Sequence, residues 1–95
     1  MQFLWDRAKN ANNLKKHGLS FDEASELFAS DNYLEIFDLE HSELEERFIA
    51  IGPIARGLAV VVWTDRDSDE IRIISARFAT KQEQRLYQSH GNESR

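Results

Sequence analysis

The side chains of this chain best suited to chemistry on an anion are Arg47, Arg66, Arg72 and Arg77, with His17 as an acid or base and Tyr87 as a hydroxyl donor. Arginine offers five donors in a planar fork that matches phosphate. Histidine titrates near neutral pH and can give or take a proton. Arg77 has the most suggestive setting. It ends the run Ile71-Arg72-Ile73-Ile74-Ser75-Ala76-Arg77. Strict alternation puts it on one strand face with Ser75, Ile73 and Ile71. Two core-type positions followed by serine and arginine predict a strand leaving the core for a polar rim. An ion pair with Glu83 or with the acidic segment is the other outcome for that guanidinium. His17 lies at the edge of a helical apolar stripe, where it either bonds last-turn carbonyls or acts as a general acid or base. Tyr87, one turn beyond Glu83, is a core anchor with its hydroxyl at the rim.

Several chemistries find no support. There is no cysteine, hence no disulfide and no thiolate site. His17, His41 and His90 are far apart and lack metal-ligand spacing, and His41 sits among glutamates in a solvated loop. No phosphate-binding glycine motif occurs, and no Ser-His-Asp arrangement follows from residue order. The start, Met1-Gln2-Phe3-Leu4-Trp5-Asp6, has no basic signal-peptide region, and no apolar run is long enough for a membrane span. A cytoplasmic protein with no membrane partner is expected.

The net charge of −5 speaks against a polyanionic partner, but its distribution does not. Residues 22–46 hold ten acidic groups and no Lys or Arg, while the rest of the chain holds twelve basic and seven acidic groups. Such a block is either a solvated face or the counterpart of a local positive surface elsewhere.

These residues must be positioned by a single domain over 1–90, with 91–95 as a flexible tail. Phe3-Leu4-Trp5 reads as a marginal strand. Asp6 caps a helix over 7–17 that ends at Gly18. Ala8, Ala11 and Leu14 form its apolar stripe, with Lys9 and Lys16 together on the opposite side. Ser20 and Glu23 have capping-box spacing and open a second helix, so the two form a helical hairpin. Strands follow at 33–38, 47–51, 58–64 and 71–77, with a bend over 52–57. The run 58–63 is apolar on both sides and reads as a central strand, covered on both faces or covered by a partner. Thr80 caps a last helix to about Gln88. The order β-α-α-β-β-β-β-α predicts an α+β domain with an antiparallel sheet.

Three blocks carry a family resemblance. They are Phe3-Leu4-Trp5-Asp6…Lys16-His17-Gly18-Leu19-Ser20-Phe21…Glu23-Ala24, Asp38…His41-Ser42…Glu45-Glu46-Arg47-Phe48, and Ile73-Ile74-Ser75-Ala76-Arg77-Phe78-Ala79-Thr80…Glu83…Tyr87. Together they resemble the BrnT toxins of type II toxin–antitoxin systems, over roughly residues 3 to 88. The resemblance implies a RelE-like fold and an endoribonuclease that inhibits translation without metal or organic cofactor. It implies a BrnA-like ribbon-helix-helix antitoxin as partner and DNA contact only through that antitoxin. The alternative it leaves is a weakly catalytic or non-catalytic antitoxin-binding module acting as a co-repressor. Carried over by residue, it gives phosphate binding to Arg77 and Arg47, with Arg66 as a third cation. His17 becomes acid or base, Lys16 supplies charge for the substrate, and Tyr87 and Glu83 are lesser candidates. Phe78 stands where family members often have a second basic residue.

Overall fold

The computed structural model describes residues 2–30, 32–41, 45–67 and 69–93, and only the backbone at 41, 66, 67 and 91–93. Strand β1 (Gln2–Leu4) leads into helix α1 (Arg7–His17), a single turn of helix α2 (Phe21–Ala24) and a 3-10 segment at Ser25–Ala29. Then come β2 (Leu34–Phe37), a 3-10 turn at Leu39–His41, β3 (Phe48–Ile54), β4 (Gly57–Asp67), β5 (Glu70–Phe78) and helix α3 (Lys81–Glu93). The strands form one sheet in the order β1-β5-β4-β3-β2, with β4 at its centre.

The sheet is mixed, not antiparallel. Strands β2 to β5 follow one another antiparallel, but β1 runs parallel to β5, with Phe3 opposite Ile71. A short connection forces antiparallel pairing. β1 and β5 are joined only through the rest of the chain, so no turn dictates their relative direction.

One face of the sheet holds the main core. Leu19 from the α1–α2 connection, and Phe21, Ala24 and Leu27 from the helical turns after it, are fully buried against Ala50, Ala59, Val61, Ile73 and Ala76. Phe28 sits at the centre of an aromatic cluster, with ring centroids 5.6 Å from Phe3, 5.3 Å from Tyr33 and 5.5 Å from Trp63. Gly52 is required here for close approach, because a Cβ at that position would lie 2.7 Å from Tyr33 Cβ.

Local signals set the helix ends. Asp6 accepts from the Ala8 and Lys9 N–H groups, and Gly18 closes α1 at φ 70°. Ser20 Oγ accepts from Glu23 N–H, so half of the predicted capping box forms. The Glu23 carboxylate turns instead to Arg56, which donates to it at 2.7 Å and to the Gly18 carbonyl at 2.7 Å. Ala55 N–H also donates to Glu26. These bonds fasten the β3–β4 hairpin onto the corner after α1. The hairpin turn lies at Ala55–Arg56, and β3 runs straight through Gly52-Pro53, where a bend was expected.

The buried side of α1 also differs from the apolar stripe read in the sequence. Ala8, Ala11 and Leu14 face solvent, Leu14 at 51% exposure. Asn13 is the buried residue of the helix. The cause lies in β5. β1 pairs with it only over Glu70–Arg72, leaving its later edge with open backbone groups. Asn13 fills that edge like a surrogate strand. Its Nδ2 donates to the carbonyls of Ala76 (2.7 Å) and Leu19 (2.8 Å), and its Oδ1 accepts from Ala76 N–H (3.1 Å). Asn10 Oδ1, one turn earlier, accepts from Phe21 N–H at 2.8 Å. An unpaired buried amide costs more than an exposed leucine, so polarity decides which side faces in.

Candidate active site on the open face of the sheet

The face of the sheet opposite the main core is covered only in part. α3 packs across β3 there, and Ile51 and Val60 are buried on that side. The remainder is an open groove. A β-bulge shapes its floor. Trp63 pairs with Ile73 and Val62 with Ser75, so Ile74 is an extra residue in β5. The extra residue reverses the alternation read from the sequence. Ile71 and Ile73 point into the core, while Ser75 and Arg77 share the opposite face. Ile74 and Ser75 are thereby brought side by side into the groove.

Two shallow depressions meet at Ile74 and Ser75. The smaller, about 210 Å³, is lined on the α1 side by Lys9, Asn12, Asn13, Lys16 and His17. The larger, about 380 Å³, is lined by Asp38, Glu40, Arg47, Ile49 and Val62. One half thus presents lysines and a histidine. The other presents an arginine and two carboxylates around an aliphatic floor. α1 aims its side chains here because the Asn13 amide seats it against the edge of β5.

The candidate residues divide between these places. His17 and Lys16 are exposed and line the basic half, and Arg47 is half-buried in the other half. Arg77 lies on the groove side of the sheet, but its guanidinium is held by Glu83, with contacts of 2.7 and 2.8 Å. Tyr87 donates its hydroxyl proton to the Asn32 carbonyl at 2.5 Å and ties α3 to the start of β2. The Arg66 and His41 side chains lie outside the described residues. Phe78 is not beside the groove. It packs against the core face, and Arg56 lies 5.1 Å above its ring. Adjacent strand residues face opposite sides, so a charge at 78 would not reach the neighbourhood of Arg77. α3 continues to Glu93, past the end expected at Gln88. Among the described residues, no three His, Asp or Glu side chains converge as metal ligands, and no helix is long and apolar enough to cross a membrane.

Reasoning from sequence did not find Lys9 and Asn12 as groove residues, nor Asp38 and Glu40. A signal existed for the first pair. Lys9, Asn12 and Lys16 recur at helical spacing on one side of α1. No spacing rule links Asp38 to Ser75, because pairing across β3 and β4 brings them together.

The Arg77–Glu83 pair has a measurable consequence. The Arg77 guanidinium, helped by N–H donation from Thr80, holds the Glu83 carboxyl down at about 2, against an ordinary 4.5. A carboxyl depressed by folding stabilises the fold fully above its unfolded value, and that contribution is lost as pH falls from about 4.5 toward 2. The Arg77 side chain is 41% exposed, so screening reduces the contribution to about 1–2 kcal/mol. In urea titrations, Arg77→Leu should be less stable than the wild type by that amount at pH 7 and converge with it near pH 2. A constant gap across this range would show that the pair is not the source.

Comparison with known proteins supplies a context for this geometry. Residues 5–83 match the family described as ribonuclease toxin, BrnT, of type II toxin–antitoxin systems. The fold is similar to the 1.1 Å crystal structure of the Brucella abortus ribonuclease toxin BrnT, with a TM-score of 0.63 and 24% identity over 85% of this chain and 99% of that one. No curated protein sequence matches the chain.

Proposed function

The chain belongs to the BrnT family of ribonuclease toxins of type II toxin–antitoxin systems, whose toxins act with an antitoxin partner, and we propose that it is a metal-independent endoribonuclease using the groove over Ser75. The observation that carries this reading is the convergence of Lys9, Lys16 and His17 on Ser75, directly beside Arg47 and its aliphatic floor. In this reading the fold is a RelE-like variant. The scissile phosphate lies in the basic half, where the lysines offset the charge that develops on its oxygens. His17 takes the proton from the ribose 2′-hydroxyl as that oxygen attacks phosphorus. The P–O5′ bond breaks, and the departing 5′-oxygen takes a proton from water, which reaches this open groove. Arg47 holds the adjoining nucleotide. Arg66 is the further phosphate cation that the family resemblance suggests. Arg77, Glu83 and Tyr87 anchor α3 and the end of β5, and so position Ser75. The enzyme works in the cytoplasm, lowers translation by cutting RNA, and is neutralised by a BrnA-like ribbon-helix-helix antitoxin through which alone it meets DNA.

The test is the chemistry of the cut ends. Purified protein with EDTA present should cleave RNA to leave a 2′,3′-cyclic phosphate and a 5′-hydroxyl. A 5′-phosphate, or activity abolished by EDTA and restored by metal, would overturn the reading. Expression without antitoxin separates the co-repressor alternative, since a non-catalytic module leaves RNA and growth intact.

A further inference from the structure

The half of the groove that holds Arg47 is poorly made for phosphate. Asp38 and Glu40 line it together with Arg47, and two carboxylates repel a polyanion. What carboxylates accept are N–H donors, and what arginine donates to are acceptors. Beside them lies a floor of Ile49, Val62 and Ile74. The ligand that fits is therefore a flat, largely apolar body with acceptors along one edge and donors along another. Resting on the proposal that the basic half takes the scissile phosphate, we infer that this depression holds a guanine base of the substrate RNA.

Guanine alone among the four RNA bases presents both halves of that pattern in adjacent pairs. Its O6 and N7 match a guanidinium bidentately. Its N1–H and exocyclic N2 amino group offer two parallel donors to one carboxylate. Uracil has a single ring N–H donor. Adenine and cytosine carry an amino group, but the neighbouring ring nitrogen is an acceptor that a carboxylate repels.

Position favours Asp38 as the reading residue. It follows β2 directly, and its N–H bonds the Arg47 carbonyl at 2.9 Å, so the two residues are fixed across the same strand pair. Asp38 is half-buried, whereas Glu40 is exposed. Partial burial strengthens a polar contact, and a mismatched base leaves the carboxylate facing an acceptor. The depression continues into the basic half at Ile74 and Ser75, so base and phosphate of neighbouring nucleotides can occupy the two halves together.

The test uses short RNA oligonucleotides with a 2′-deoxy sugar at one position, which bind but cannot be cut there, carrying G, A, C or U beside that position. Wild-type protein should bind the G oligonucleotide at least about tenfold more tightly than the others, the worth of one good bidentate base contact. Asp38→Asn should compress that ratio to about twofold, because its amide offers one donor and one acceptor in place of two acceptors. Circular dichroism checks that the variant is folded. Equal wild-type binding of all four oligonucleotides overturns the inference, as does an unchanged ratio in folded Asp38→Asn. Because the readout is binding, a protein that prefers G but leaves RNA uncut upholds the base site and sinks the nuclease reading. RNA cut with no base preference does the reverse.

Discussion

His17→Ala is expected to slow RNA cleavage by about 10²–10⁴-fold, the usual worth of a general acid or base, while leaving the fold intact. Two observations separate these effects. His17 is exposed at the end of α1, so its loss leaves no cavity. It lines the basic half of the groove with Lys16 and Lys9, above Ser75. Its place in the last turn of α1 adds at most a small favourable contact with the helix C-terminus. That loss is too small to unfold the domain. Initial rates on a labelled oligonucleotide, read alongside the urea midpoint, check the prediction. A folded variant of full activity would remove His17 from the chemistry and leave Lys16 or Arg66 as the group to test. Lys16→Ala should cost less than His17→Ala, because Lys9 lines the same depression and keeps part of the positive charge.

Asn13→Ala is expected to be the most destabilising single change in α1, by about 2–4 kcal/mol. The residue makes three buried hydrogen bonds, to Leu19 and twice to Ala76. Truncation strands the Ala76 N–H and carbonyl at the edge of β5, where they stay shielded from water. Asn13→Asp should be nearly as harmful. It keeps the acceptor for Ala76 N–H, loses both donors, and sets a carboxylate against two carbonyls. Denaturant titration measures the loss, and a shift below about 0.5 kcal/mol would show that α1 is held by other contacts. Cleavage should fall with stability, because this amide also fixes the helix that carries Lys9, Lys16 and His17. In contrast Leu14→Ser, on the exposed side, should cost little.

These outcomes separate what could be read along the chain from what could not. The helix starts and the end of α1 are legible because their signals are local. Asp6, Gly18, Ser20 and Thr80 act on backbone groups within a few residues of themselves. The family resemblance was legible too, since the blocks around Lys16-His17-Gly18 and Ser75-Ala76-Arg77 are contiguous in sequence. Those blocks also contain residues that line the groove, Lys16 and His17 on α1 and, in the middle block, Arg47 just before β3. The direction of β1 was not legible, because a parallel partner reached through the whole chain leaves no turn to read. Apolar periodicity turns α1 the wrong way round, because it cannot show that the sheet edge beside the helix lacks hydrogen-bond partners.

One inserted residue makes the sharpest contrast. The segment Ile71–Arg77 alternates well enough to place Arg77 beside Ile73 and Ile71 on one face. Pairing with β4 absorbs Ile74 as a bulge and turns the two ends of β5 to opposite faces. Local patterns show that a strand closes here with serine and arginine, and that a capped helix carrying Glu83 follows. Packing sets the rest, with Glu83 taking up Arg77, Phe78 lying under Arg56, and Ser75 opening into the groove between α1 and Arg47. The physical reason is that side-chain direction in a strand depends on register with its neighbour, and register is a property of the pair.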